Sequence, residues 1–217
     1  MKTTAIIVAA GKSKRIGTKI NKPYLKLDKN TILWHTLKKF EEHNLISSII
    51  LVIQKKDEKK CKKIIKKFRK VFHIAYGGKE RSDSVYNGLK YVQTPLVLIH
   101  DANRPFVAKE YITKVIKVAR KTGACTLAIP VYDTVRKNNK TLDRKGMYLV
   151  QTPQAFHTNI LLKAYKNKYE KGIHSTDDAS LVEKIRKKVN IVEGSPLNIK
   201  ITTKKDLTLA RKLVKTL

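Results

Sequence analysis

An α/β fold, a mostly parallel sheet covered by helices with one β-hairpin arm leaving the main body, is predicted by three observations. Short apolar runs rich in Ile, Val and Leu recur through most of the chain, segments of helical period lie between most of them, and one polar stretch from Tyr132 to Gln151 breaks the alternation. Apolar runs without polar alternation read as strands buried on both faces, which is what a parallel sheet between helical layers requires. At 217 residues and 41% hydrophobic content, the chain suits one domain spanning 1–217, with the arm at about 132–151.

The strand candidates, in order, are Ala5 to Ala10, Ile49 to Ile53, Phe72 to Tyr76, Leu96 to His100 and Cys125 to Val131. Helices are expected over Leu33 to Glu42, Asp57 to Lys70, Ser82 to Tyr91, Lys109 to Arg120, Asn159 to Tyr169, Ala179 to Lys187 and Lys204 to Val214. The segment from Asp57 to Lys70 shows the reasoning: Cys61, Ile64, Ile65 and Phe68 recur at helical spacing, and lysines fill most other positions. In the arm, Asn138-Asn139 and Arg144-Lys145-Gly146 are turn signals flanking short strand-like pieces. A long insertion of this kind in a compact domain is usually functional.

The formal charge is +31, from 48 Lys and Arg against 17 Asp and Glu. Such a balance invites a nucleic-acid reading, but the lysines are spread over solvated helix faces and the few aromatic residues form no stacking cluster. No specific nucleic-acid partner is expected. Cys61 and Cys125 have no partner ligand at metal spacing and read as buried thiols in a reducing compartment. Nothing resembles a secretory signal or a membrane span, so a cytoplasmic location with no membrane partner is expected.

The first strand ends in Ala9-Ala10-Gly11-Lys12-Ser13-Lys14-Arg15, followed by Asn21-Lys22-Pro23-Tyr24. Ligands of parallel sheets bind beyond the carboxyl ends of the strands. Cations gathered there neutralise phosphates, and Gly11 removes a side chain that would hold a ligand off the backbone. This is neither a Walker loop, which would need a glycine at Ile6, nor a dinucleotide fingerprint, whose second and third glycines would fall at Ser13 and Ile16. Pro23 biases Lys22 towards an extended backbone.

Further polar clusters mark the other strand ends and loops. They are Gly77-Gly78-Lys79-Glu80-Arg81-Ser82-Asp83-Ser84-Val85, His100-Asp101-Ala102-Asn103-Arg104-Pro105, Pro130-Val131-Tyr132-Asp133-Thr134, Gln151-Thr152-Pro153-Gln154-Ala155-Phe156, Ser175-Thr176-Asp177-Asp178-Ala179-Ser180 and Asn198-Ile199-Lys200-Ile201-Thr202. With the N-terminal loop, this ordered set resembles the methylerythritol phosphate cytidylyltransferases of the non-mevalonate isoprenoid pathway, from about Ala5 to Ala210. The resemblance implies a doubly wound, Rossmann-like nucleotidyltransferase fold, magnesium as cofactor, and a homodimer linked through the arms. The implied substrates are CTP and 2-C-methylerythritol 4-phosphate, joined with release of pyrophosphate.

Carried over position by position, Arg15 and Lys22 match the cations that act on the triphosphate in the transition state, and Lys200 the cation that positions the attacking phosphate. Ala9, Ala10 and Gly11 match the nucleotide loop, Gly78 and Ser84 the positions facing cytosine, and Asp101 with Ala102 the strand end near the ribose, where Asp101 is also the implied magnesium ligand. Thr134, Arg144 and Thr152 match the grip on the acceptor, with Arg144 also in a catalytic role and the arm residues arriving partly from the neighbouring subunit. Arg104 and Asn198 fit ligand contact or structural pairing equally, His100 reads as a packed histidine, and Thr176-Asp177-Asp178 reads as a helix start. Departures from the family pattern are Ser13 in place of its second loop glycine, Asn21-Lys22-Pro23 for Pro-Lys-Gln, Leu197 where an acidic residue often stands, and Lys79 where a small or acidic side chain is common. Two alternatives remain open on sequence: a ribitol 5-phosphate cytidylyltransferase, and a non-catalytic basic protein that binds nucleic acid.

Overall fold

The computed structural model describes residues 1–11 and 20–216. In chain order the elements up to the sheet's centre are β1 (Thr3–Val8), β2 (Lys26–Leu27), β3 (Asn30–Thr31), α1 (Ile32–Glu41), β4 (Ser48–Ile53), α2 (Glu58–Ile65), β5 (Val71–Tyr76), α3 (Arg81–Leu89) and β6 (Leu96–Asp101). They are followed by α4 (Lys109–Thr122), β7 (Ala124–Pro130), β8 (Val135–Lys137), β9 (Lys140–Leu142), β10 (Tyr148–His157), α5 (Thr158–Lys171), α6 (Asp178–Lys184), β11 (Asn190–Glu193) and α7 (Lys204–Leu213). Seven strands form one sheet in the order β11-β7-β10-β6-β1-β4-β5, in which only β10 runs antiparallel to its neighbours.

The unbroken apolar strands follow from burial on both faces. Ala5, Ile7, Ile49, Leu51, Ile53, Leu96 and Leu98 join the core on one face, whereas Ile6, Ile50, Val52, Val97 and Ile99 join the core on the other. Side-chain direction alternates along each strand, so every residue of these runs meets a helical layer. Helix ends obey local chemistry: α4 and α5 stop at left-handed Gly123 and Gly172, and α3 and α7 begin in capping boxes of Glu80 with Asp83 and Thr203 with Asp206. The helix expected over Asp57 to Lys70 is shorter than its pattern. It ends at Ile65, because Glu41 captures the N–H groups of Arg69 and Lys70 and turns the chain into β5, while Phe68 stays buried.

Two strands of the seven-stranded sheet escaped the sequence reading. β10 crosses the middle of the sheet although Gln151, Thr152, Pro153 and Gln154 lie within it, and its pairing with β7 shifts register between Val150 and Gln154. Its polar groups find partners indoors: the Gln154 amide donates to Thr126 Oγ1 at 3.0 Å and Asp177 Oδ2 at 2.8 Å, and accepts from the Ala179 N–H. β11 is a short edge strand. The arm therefore closes earlier than Gln151, at the bond from Val131 N–H to Met147 O, and its tip is the β8–β9 hairpin turning at Asn138 with φ 53°.

Candidate functional site

Strand order reverses between β1 and β6: from β1 the chain moves to β4 on one side, and β6 inserts on the other. At that switch point the loops after the parallel strands diverge and leave a crevice. A cavity of about 350 Å3 lies there, bordered by Ala9, Ala10 and Gly11 after β1, Gly78 and Ser84 around the start of α3, Asp101 at the end of β6, and Lys22 and Lys200. Seven of the residues expected at the nucleotide are brought together there, along with Lys200, which was expected at the attacking phosphate. Arg15 lies outside the described residues.

Glycines set the width of this cleft. A Cβ on Gly77 would sit 2.3 Å from the Ala10 Cβ, and one on Gly78 would sit 2.3 Å from the Asp83 Cβ, so neither position tolerates a side chain. Gly77 was not singled out in the sequence, although it is what lets the loop before α3 approach the end of β1. The Gly78 N–H donates to Ser84 Oγ at 3.2 Å, and that hydroxyl donates to Glu80 O at 3.0 Å. At Gly11, by contrast, a Cβ would meet no atom of the described residues within 4 Å. Ala102 does not border the cavity: it is fully buried, and its N–H donates to Val8 O at 3.0 Å. Asn103 stands there instead.

Lys22 opens a short 3-10 turn, Lys22–Tyr24, rather than an extended segment. Pro23 is accommodated within this first turn, where a missing N–H costs nothing. Lys200 belongs to an irregular segment pinned on both sides. Ile201 N–H donates to Asn103 O at 2.9 Å, the Asn103 amide returns a bond to Ile201 O at 2.8 Å, and Asn198 donates to Gln151 Oε1 and Thr152 O. Arg104 donates to Asn198 O at 2.7 Å, so Arg104 and Asn198 act as structural brackets behind Lys200.

The charged groups form one chain. Lys200 Nζ lies 2.5 Å from Asp101 Oδ2, Arg81 Nε lies 3.0 Å from Asp101 Oδ1, and Arg81 Nη1 lies 2.8 Å from Asp178 Oδ2. The Tyr165 hydroxyl donates to Asp178 Oδ1 at 2.6 Å. Burial opposes ionisation of Asp101, but Arg81 and Lys200 outweigh it and hold the carboxyl well below the usual carboxylate range. Behind it, the Arg104 carbonyl can only accept, so His100 Nε2–H donates to it at 3.0 Å and Nδ1 of the neutral ring accepts from the Thr152 hydroxyl, which itself accepts from Asp101 N–H at 3.1 Å. Burial keeps this ring neutral, with its pKa lowered from 6.5 to about 4. His100 is a packed histidine, and the Thr152 hydroxyl is spent on it.

A second cavity of about 440 Å3 adjoins the first and shares Arg81, Asp101 and Lys200 with it, while Thr152, Thr176 and Asp177 line its far side. Asp177 caps α6 by accepting from Ser180 N–H, as a helix start requires. Thr134 and Arg144 border neither cavity. Both are exposed on the arm, and the Arg144 guanidinium bonds the Tyr132 carbonyl of its own chain.

Magnesium finds no protein donor set among the described residues. No group of three His, Cys, Asp or Glu converges, and both Asp101 oxygens are engaged by cations. Asp101 thus does not fit the metal-ligand expectation as it stands, because the charge a metal would neutralise is already neutralised by Arg81 and Lys200.

Sequence reasoning missed Arg81 and Asp178 as an ion pair. The signal was present: a cation at the first position of a helix opposes the macrodipole and needs a reason to stand there.

A crevice at the switch point of a mostly parallel sheet, edged by phosphate-scale cations and continuous with a second cavity, defines an α/β enzyme of nucleotidyl transfer. The family model for 2-C-methyl-D-erythritol 4-phosphate cytidylyltransferase (IspD) matches residues 3–216. The 2-C-methyl-D-erythritol 4-phosphate cytidylyltransferase of Alkaliphilus oremlandii is 44% identical, covering 99% of this chain and 96% of that protein. The crystal structure of 4-diphosphocytidyl-2C-methyl-D-erythritol synthase from Anaerococcus prevotii superimposes with a TM-score of 0.88 at 34% identity, covering 99% of this chain and 96% of that one. The cytidylyltransferase of Thermus thermophilus gives 0.85 at 30% identity, with 99% and 100% covered. The chain belongs to the 2-C-methyl-D-erythritol 4-phosphate cytidylyltransferase family.

Proposed function

We propose that the protein transfers a cytidylyl group from CTP to 2-C-methyl-D-erythritol 4-phosphate, forming 4-diphosphocytidyl-2-C-methyl-D-erythritol and pyrophosphate. The observation that carries this reading is the wall shared by the two cavities, in which Lys200 and Arg81 flank Asp101. CTP occupies the first cavity and the acceptor the second, so the acceptor phosphate meets the α-phosphorus beside Lys200.

An oxygen of the acceptor monoester attacks the α-phosphorus, and the bond to the bridging oxygen of the β-phosphate breaks. The attacking group is largely dianionic at neutral pH, since the second ionisation of a phosphate monoester falls near pH 6, and needs no general base. Catalysis consists of bringing two anions together and neutralising charge on the leaving pyrophosphate. Lys22 and Arg15 serve the triphosphate, and Lys200 serves the attacking phosphate. Gly11, Ala9 and Ala10 let the phosphates approach backbone, Gly78 and Ser84 face the base, and Asp101 lies near the ribose, while the buried Ala102 ties the end of β6 to β1 through Val8 O. Magnesium belongs to the nucleotide's phosphates in this reading rather than to Asp101.

The chain acts as one domain with an arm that leaves and rejoins the sheet at Val131 and Met147. Thr134 and Arg144 reach the acceptor from the arm of the partner subunit in a homodimer, and Thr152 supports the acceptor wall. No described helix is long and apolar enough to cross a membrane, and a cytoplasmic enzyme without a specific nucleic-acid partner suits the reading. Pyrophosphate release with CTP should require 2-C-methyl-D-erythritol 4-phosphate from a panel that includes ribitol 5-phosphate and erythritol 4-phosphate. Preference for ribitol 5-phosphate, or no release with any acceptor, would overturn the assignment.

A further inference from the structure

We propose that Arg81 is a positioning residue for the acceptor-side cation: it fixes Asp101, and through Asp101 the Lys200 ammonium, in the wall between the two cavities, and is itself anchored by the buried pair Asp178 and Tyr165. The inference rests on the assignment of Lys200 to the attacking phosphate.

Arg81 borders both large cavities, as do Asp101 and Lys200. Its guanidinium is committed on two edges, Nε to Asp101 and Nη1 to Asp178. Asp178 is 1% exposed at its side chain, and its other oxygen is held by Tyr165, which is fully buried on α5. The far end of the chain is therefore rigid, while the near end, Lys200, is 37% exposed and faces the cavities. The capping box of Glu80 and Asp83 fixes the backbone of Arg81 from the other side. A guanidinium placed at the first position of α3, against the helix dipole, gains from spanning two carboxylates on different elements.

Each link transmits geometry rather than charge. With Arg81 in place, one Asp101 oxygen is occupied and the other faces Lys200, so the ammonium has a single resting position at the wall. A lysine at position 81 keeps the charge, but its single ammonium lacks the fork that reaches both carboxylates in this arrangement. Asp101 would then turn, or Asp178 would stand unpaired in the interior, and Lys200 would be displaced from the line of attack.

Steady-state kinetics of Arg81→Lys, Tyr165→Phe and the double variant, with Lys200→Ala measured in parallel, test this. Arg81→Lys should lower kcat by about 10²-fold, the scale of a displacement near 1 Å, while KM for CTP stays within about threefold. Tyr165→Phe, which preserves every charge and nearly all packing, should lower kcat by about fivefold to tenfold with the same KM pattern, as loss of one hydrogen bond to a charged group allows. In the Arg81→Lys background, Tyr165→Phe should add nothing, because the anchor no longer reaches Asp101. A kcat within threefold of wild type for Arg81→Lys, or multiplicative effects in the double variant, would overturn the proposal. If Arg81→Lys does not fold, an unchanged kcat in Tyr165→Phe overturns it alone. Normal activity of Lys200→Ala would instead remove the reading of Lys200 on which the proposal stands, whereas an inactive Lys200→Ala beside a normal Arg81→Lys would leave that reading intact and sink only this one.

Discussion

The end of the sheet and the arm carry cations in opposite ways. At the sheet, Lys200 and Arg81 are locked to buried carboxylates, and the loops around them are tied by paired hydrogen bonds. On the arm, Arg144 is exposed and its guanidinium bonds the carbonyl of Tyr132, a residue itself 66% exposed. The contrast teaches that cations at the sheet end are held in place by carboxylates from other elements of the chain, whereas the arm cation Arg144 is not.

The largest effect should come from the pinned cations. Replacing Lys22 or Lys200 by Ala removes an electrostatic donor and should raise the barrier by about 2 to 4 kcal/mol, read as a fall in kcat far greater than any change in CTP affinity. Near-normal turnover in a folded Lys22→Ala protein would remove it from the chemistry. Arg144→Ala should be similarly inactive, yet its unfolding free energy should stay within about 0.5 kcal/mol of wild type because the side chain is exposed on the arm.

Next in size is an acid sensitivity confined to the sheet. His100 is neutral in the folded protein, with its pKa lowered to about 4, while the unfolded chain takes up the proton near 6.5. Between those values the unfolded state binds more protons, so stability is full above pH 6.5 and falls as pH drops towards 4, by about 3 kcal/mol at most. Urea unfolding at pH 7 and pH 4.5 should show a smaller loss in His100→Gln, whose amide can accept from Thr152 and donate to Arg104 O. An equal loss in both proteins would move the acid sensitivity elsewhere. The smallest effect belongs to the arm's surface: Leu149→Asp should leave the urea midpoint of the chain nearly unchanged but weaken self-association in sedimentation.

The two regions were also unequally legible in the sequence. β1, β4 and β6 could be read because burial on both faces leaves an unbroken apolar run, and the phosphate loop after β1 could be read from Gly11 and the cations that follow it, whereas the other cleft residues came from the family resemblance. β10 could not, since Gln151, Thr152 and Gln154 are polar groups satisfied by partners distant in sequence, such as Thr126, Asp177 and Asn198. Arg81 was visible as a residue but not as a bridge, because the partner carboxylates come from β6 and α6. The hairpin turns of the arm were local and therefore readable, whereas the position where the arm rejoins the sheet depends on pairing with β7.

The central claim is that each active site joins the nucleotide half of one subunit to the arm of its partner. Arg144→Ala and Lys200→Ala proteins, each inactive alone, should complement when subunits exchange, because one site of a mixed dimer then carries both defects and the other carries neither. Random pairing in a closed twofold dimer should restore roughly a quarter of wild-type activity. Mixed dimers demonstrated by native mass spectrometry yet devoid of activity would contradict the shared site and place Arg144 either in its own subunit's site or outside the chemistry.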